Sequence, residues 1–287
     1  MASTKLCFYP LGLQDYKEKL ELLLNSSHLR VLYSLKYNFN KSRTQMQTIL
    51  KLIFIFSLAI AFAVDAQPLK ERMSLPHFSK CYTQGLIIID KQVWESCGQF
   101  GESHLIHWEL DTQNIIKQVK FDDKYFAEGL TKLDGKLFML TWRAGVAFEI
   151  NPQTLETIKF HKYAGEGWGL TTDGKQLIMS NGSDILQFID PETFTVKHSV
   201  KVTIDGKPVH RLNELEWIDD KIYANVFQTD YIVIIDPKTG IITNKHHLPN
   251  LLKNVFRKPG VLNGIAYDKS TKKTWVTGKN WPLMFEL

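Results

Sequence analysis

Five short polar signatures recur along the chain: Gln84-Gly-Leu86, Glu128-Gly-Leu130, Glu166-Gly-Trp-Gly-Leu170, Asn213-Glu-Leu-Glu-Trp217 and Asn263-Gly-Ile-Ala266. Each sets a carboxylate or a carboxamide among glycine and apolar residues, and most stand six residues before an Asp-led turn. Ordinary turn chemistry accounts for Asn263 taken alone. It does not account for Glu128, which follows Phe126-Ala127, or for Glu166, which precedes Gly167-Trp168. A carboxyl group with apolar and aromatic neighbours is expected to have a raised pKa, which suits it to taking and returning a proton. Aromatic residues also stand beside polar ones in Leu140-Thr-Trp142-Arg143, Ala224-Asn-Val-Phe227-Gln228 and Thr277-Gly-Lys279-Asn280-Trp281, a composition that builds a hydrophobic wall around a small side chain. Trp94, Trp108, Trp217 and Trp275 read as packing between repeats.

Other catalytic patterns fail. Gly169 to Gln176 nearly matches a phosphate-binding loop, but Gln176 replaces the hydroxyl residue that would hold magnesium. Ser270-x-x-Lys273 and Lys238-Thr-Gly240 stand in the wrong order for a penicillin-binding enzyme. His104 and His107 would point to opposite faces of a strand, and His246-His247 fall in a connection, so no metal constellation is expected.

The elements that must position these residues are strands. Residues 67–287 show short Val-, Ile-, Phe- and Trp-rich runs bounded by turn residues, with almost no helical periodicity. Asp-led hairpin turns at Asp90-Lys91, Asp134-Gly135, Asp173-Gly174, Asp219-Asp220 and Asp268-Lys269 are separated by 44, 39, 46 and 49 residues. A second marker shares the period: Asp111-Thr-Gln, Asn151-Pro-Gln-Thr, Asp190-Pro-Glu-Thr and Asp236-Pro-Lys-Thr follow strand-like runs, with no fifth copy before the terminal run Pro282–Leu287. Four short strands per unit and five units predict an all-β, five-bladed β-propeller. Two markers with one period disfavour a sandwich or barrel with accidental spacing. If each signature opens an innermost strand, all five converge on one mouth of the central channel.

The net charge of +5 suggests a nucleic-acid partner, but eight Lys/Arg against four Asp/Glu fall within residues 1–66, which leaves a net of +1 for 67–287. No basic partner-binding face is indicated, and no nucleic acid is expected as a partner. Lys51 precedes an apolar run from Leu52 to Val64 broken by Ser57, and Val64-Asp65-Ala66 offers small residues to a signal peptidase. Residues 46–66 therefore read as a signal peptide, 67–287 as the exported domain, and 1–45 as an over-extended start or a short disordered head. The alternative is a signal anchor with a small cytoplasmic head. The processed chain is expected to be periplasmic or secreted, or endomembrane in a eukaryote, with no membrane span. In an exported chain Cys81 and Cys97 are candidates for a disulfide, a buried free pair being the other reading.

Tyr82-Thr-Gln-Gly, Trp94-Glu-Ser-Cys-Gly-Gln-Phe-Gly, Glu128-Gly-Leu-Thr, Leu140-Thr-Trp, Gly165-Glu-Gly-Trp-Gly-Leu, Leu212-Asn-Glu-Leu-Glu-Trp, Leu262-Asn-Gly-Ile-Ala and Thr277-Gly-Lys-Asn-Trp-Pro, taken together and in order, resemble the plant and bacterial glutaminyl-peptide cyclotransferases. That resemblance covers the exported domain and implies a five-bladed propeller that converts N-terminal glutaminyl residues of peptides or proteins to pyroglutamyl, releasing ammonia, without a metal or other cofactor. By the same resemblance Glu128 is the proton shuttle, Gln84, Asn213 and Lys279 are polar pocket residues, and Trp142 and Trp168 form the aromatic wall. Phe126 and Tyr82 stand at or near the pocket, Tyr82 where the family usually has Phe. Phe227 replaces the usual Trp and loses an indole donor, and Cys97 stands where Thr is usual. Glu166 matches a family motif whose role is either substrate contact or support of the pocket. A monomer is expected.

Two other classes compete. A metal-dependent, lactonase-like propeller would gather Glu128, Glu166, Asn213 and Asn263 around a divalent ion. A non-enzymatic binding scaffold would use the fold alone.

Overall fold

The computed structural model describes residues 73–252 and 259–287, so the expected head of residues 1–45 and the expected signal peptide of residues 46–66 lie outside the described residues. Three of the Asp-led turns have both central residues at positive φ: Asp90-Lys91 (50° and 64°), Asp134-Gly135 (49° and 75°) and Asp219-Asp220 (47° and 59°). That backbone matches the twist of the strands it joins, so each turn closes a tight hairpin. In the third repeat only Gly174 is at positive φ, and Asp173 Oδ1 accepts the Lys175 and Gln176 N–H groups at 2.8 and 2.9 Å. The fifth turn differs from the expected Asp268-Lys269 pair. Asp268 ends its strand and accepts the Ser270 N–H and hydroxyl at 3.0 and 2.7 Å, so the loop runs from Lys269 to Lys272.

Each hairpin is the inner half of a four-stranded antiparallel blade, and the described residues contain five such blades with no helix. The innermost strands are Thr83–Ile89, Ala127–Leu133, Leu170–Thr172, Leu212–Ile218 and Leu262–Asp268, and each contacts the next around a closed ring. The second sequence marker joins the third strand of a blade to the fourth. Asn151, Asp190 and Asp236 each accept two following backbone N–H groups through Oδ1, which turns the chain. The fifth blade needs no such turn because Ser74–Pro76, from the other end of the domain, supplies its fourth strand against Leu283–Glu286.

Apolar residues fill the spaces between blades, one cluster at each junction. Trp94 packs between the first two blades, and its indole N–H reaches Pro152 O at 3.0 Å. Trp108 and Trp275 both pack between the first and fifth, and Trp217 packs between the third and fourth. The four tryptophans assigned to packing therefore pack.

Four inner strands carry a register irregularity at the same point: between Thr83 and Gly85, Ala127 and Leu130, Leu212 and Leu215, and Leu262 and Ile265. The skipped residues include Gln84, Glu128, Asn213 and Asn263. A bulge leaves its extra residue out of the ladder and re-aims the side chain, which is how a polar residue in four of the five blades is turned inward. Neighbouring blades hold the bulges in place: Ser96 Oγ donates to Glu128 O at 2.6 Å, Ser180 Oγ to Asn213 O at 2.7 Å, and Asn225 Oδ1 accepts the Gly264 N–H at 2.9 Å. The glycine after Glu128 is required by this crowding, since a Cβ on Gly129 would collide with the backbone of Gly169 and Leu170.

Cys81 and Cys97 are joined in a disulfide with Cα atoms 5.0 Å apart, which settles the alternative in favour of the bond. Beside it, the fully buried His77 and Glu95 form an ion pair at 2.9 Å. His77 also bonds Trp281 O through Nδ1 at 2.7 Å, and Thr83 Oγ1 donates to the same Glu95 oxygen at 2.7 Å. This knot fastens the segment after Ser74–Pro76 to the first and fifth blades. Burial alone would depress the His77 pKa, but the Glu95 charge and hydrogen bond, with the Trp281 carbonyl, raise it above 6.5. Its contribution is therefore complete below the unfolded value and is lost as pH rises through the folded one. Urea unfolding is expected to show stability falling above about pH 6.5. His77→Gln should flatten that dependence and, by leaving Glu95 buried and unpaired, cost about 3–5 kcal/mol.

Candidate active site

Three of the four bulged residues, Gln84, Glu128 and Asn213, open onto a cavity of about 200 Å³ at one mouth of the channel, lined also by Tyr82, Gln99, Phe126, Trp142, Trp168, Phe227 and Lys279. Its floor is polar and buried. Lys279 Nζ donates to Gln84 Oε1 at 2.7 Å, and Gln84 Nε2 donates to Glu128 Oε1 at 3.3 Å. Asn263 Nδ2 supports this chain from behind, bonding Thr83 O at 2.9 Å and Gln84 Oε1 at 3.4 Å. The direction of the Gln84 carboxamide follows from its partners, because an ammonium can only donate and an ionised carboxylate can only accept. Asn213, which lines the cavity, keeps its Oδ1 buried with no hydrogen-bond partner.

Burial pushes the Glu128 carboxyl well above its usual 4.5, with the Lys279 charge working against the rise and that of Glu166 adding to it. Burial also brings the Lys279 ammonium down to about 8, although Glu128 pulls the other way. The Lys279 Nζ lies 4.7 Å from the Tyr82 ring centre and 5.2 Å from that of Phe227, so two aromatic faces partly replace its lost hydration. The Tyr82 hydroxyl is itself raised, by burial and by Glu128.

The walls are aromatic. Phe126 meets Trp142 and Trp168 meets Phe227, each with ring centres 5.6 Å apart, while Tyr82 stands edge-on to Phe126. Behind the two indoles lies Glu166, whose Oε2 accepts both N–H groups, from Trp142 at 2.8 Å and from Trp168 at 2.9 Å. Its other oxygen accepts the Arg143 Nε–H at 2.9 Å, and that guanidinium lies 3.8 Å over the Trp142 ring.

Nine of the ten expected site residues line the cavity, and Glu166 does not. The expectation that Glu166 shares a raised pKa is also corrected. Burial favours the neutral acid, but hydrogen bonds from Trp168, Trp142 and Arg143 outweigh it and hold the carboxyl below its usual range. In the third blade the residue before Gly169-Leu170 is Trp168, so an indole occupies the place that Glu128 fills next door. Of the two options for Glu166, the contacts are those of a support. Gln99 was missed; its only mark in the sequence is a polar residue between Gly98 and Gly101. Because Glu166 gives both oxygens to nitrogen donors, the four groups that a lactonase-like metal site would need do not converge. Among the described residues, the one His/Cys/Asp/Glu cluster compact enough for a metal ion is Cys81, Glu95 and Cys97, and its two sulfurs are bonded to each other.

A closed five-bladed ring with a buried carboxyl–carboxamide–ammonium row under an aromatic mouth defines a β-propeller enzyme. The glutamine cyclotransferase family model matches residues 60–287, and the chain belongs to that family. It is 38% identical over 218 residues, covering 74% of this chain and 68% of the relative, to a glutaminyl-peptide cyclotransferase of Arabidopsis thaliana. The solved structure of Myxococcus xanthus glutaminyl cyclase matches with a TM-score of 0.69 at 32% identity, over 75% of this chain and 93% of that one.

Removing the shared acceptor frees both indoles. Glu166→Ala is expected to change near-ultraviolet circular dichroism and tryptophan emission while leaving the far-ultraviolet spectrum of the sheets intact.

Proposed function

We propose that this chain cyclises N-terminal glutaminyl residues of peptides and proteins to pyroglutamyl residues with release of ammonia. The observation that carries the reading is a buried Glu128 carboxyl of raised pKa, bridged by Gln84 to the Lys279 ammonium, on the floor of a cavity sized for one residue. The membership of the chain in the glutamine cyclotransferase family supports it.

The substrate α-amine attacks the γ-carboxamide carbon of its own residue. One N–C bond forms, and the carboxamide oxygen takes on negative charge. Glu128, ionised, accepts the proton that the amine sheds and returns it to the departing nitrogen, so the C–N bond breaks with ammonia as the leaving group. Lys279 and the Gln84 carboxamide are donors close to the developing charge, in a pocket where water cannot screen them. Asn213 Oδ1 accepts an N–H of the bound glutamine. Trp142, Trp168, Phe126 and Phe227 pack on its methylenes, hold the near-ring geometry and keep out the water that would hydrolyse it to glutamate. Phe227 packs as an indole would but donates nothing.

The protein works after export. The leader of residues 46–66 and the Cys81–Cys97 bond support an oxidising compartment.

Ammonia release from Gln-initiated dipeptides by the purified exported domain is expected to persist in a strong chelator and to fall by about 10²–10⁴-fold in Glu128→Gln. Chelator-sensitive release, or full activity in the variant, would sink the assignment. The kcat/KM profile, corrected for the ionisation of the substrate amine, should be bell-shaped, its acid limb above the ordinary carboxylate range and its basic limb near 8, where Lys279 loses its proton. These limbs belong to the coupled pair rather than to either group alone. Because the Lys279 charge favours ionised Glu128, Lys279→Met should move the acid limb to higher pH and lower kcat.

A further inference from the structure

The cavity closes around a single residue, and the cyclisation geometry says which part of the substrate must leave it. Amine, α-carbon, two methylenes and carboxamide carbon all enter the five-membered ring over Glu128. The carbonyl carbon on the α-carbon stays outside that ring, so the peptide bond to the second residue passes out through the mouth.

At that mouth stands Phe100. Its ring centre is 5.3 Å from that of Phe126 and 6.3 Å from that of Trp142, both cavity walls, yet the residue is 55% exposed. It prolongs the aromatic wall beyond the cavity as an open shelf. The loop that carries it is held on several sides: Cys97 by the disulfide, Gly101 N–H by Asp123 O at 3.1 Å, and Gln99 O by the Glu102 N–H at 3.1 Å and the Ser103 hydroxyl at 2.8 Å. Gln99, which lines the cavity, has φ of 142°, a conformation that side-chain-bearing residues rarely adopt. Backbone strain of this kind persists where surrounding structure imposes it, and it clusters at ligand clamps. A rigid aromatic surface loses little entropy when it is covered, so its full apolar area is available to a ligand.

We propose that Phe100 reads the side chain of the residue following the N-terminal glutamine and favours aromatic and large aliphatic residues there. This rests on the cyclotransferase reading. Phe100 acts on binding and leaves the proton transfers at Glu128 untouched, so its effect falls on KM rather than kcat.

The test is kcat and KM for ammonia release from Gln-Phe-amide, Gln-Leu-amide and Gln-Gly-amide by wild-type protein, Phe100→Ala and Phe100→Leu. Wild type should prefer Gln-Phe-amide over Gln-Gly-amide by about tenfold, mostly through KM. Phe100→Ala should abolish the preference with turnover of Gln-Gly-amide kept, and Phe100→Leu should retain part of it. Equal loss on all three substrates would show that Phe100 merely props Phe126 and Trp142, and an absent preference in wild type would show that nothing reads the second residue. Either result overturns the inference while leaving cyclisation intact. No ammonia from any substrate with folded wild-type protein would overturn both readings together.

Discussion

A carboxyl group taken out of water must be compensated or neutralised, and Glu128 is almost wholly buried. The compensation is indirect. Its ammonium partner, Lys279, is set off by one carboxamide, so the two charges attract without collapsing into a contact pair that would lock both protons in place. A direct salt bridge would hold Glu128 fully ionised at a lowered pKa and make it a poor base toward the attacking amine. With Gln84 between them, burial raises the Glu128 pKa and lowers that of Lys279, the matching that two-way proton transfer needs.

That arrangement depends on backbone irregularity repeated in register. Gln84, Glu128 and Asn213 reach the same cavity because the inner strands that carry them are bulged at the same step, and serine and asparagine side chains of adjoining second strands fasten several of those bulges. The ring must close for the row to form, since Gln84 belongs to the first blade and Lys279 to the fifth. Closure rests on a three-residue strand, a buried His77–Glu95 pair and a disulfide. Stability at the seam is therefore tied to the site chemistry, and the same disulfide holds both Tyr82 and the Gln99 loop beside it.

Much of this was legible in the residues, for identifiable reasons. Turn aspartates recur because tight hairpins admit few residue types, and the Asp-Pro-x-Thr marker recurs because an aspartate must accept the backbone N–H groups of the next turn. Their missing fifth copy was the trace of the strand Ser74–Pro76, but three residues carry no pattern of their own. The polar residue of each signature was visible because a bulged position is released from the alternation of its strand. Glu166 was misread because Glu166-Gly-Trp168-Gly offers two polar–glycine steps, and only packing against Asn213 shows that Gly169 is the one at the ring. Gln99 was invisible as a lining residue since a backbone distortion, not a residue type, delivers it. The disulfide stayed open because a bulge separates Thr83 from Gly85, which makes the register between the first two strands unreadable from spacing.

The central claim is that burial keeps the Glu128 carboxyl poised to give as well as take a proton. A direct measurement is the carboxyl carbon-13 NMR titration of glutamate-labelled protein, with the Glu128 resonance assigned by its absence in Glu128→Gln. The account predicts a midpoint well above 4.5. A midpoint at the ordinary carboxylate value would contradict it, because so weak a base could not efficiently take the proton that the attacking amine sheds.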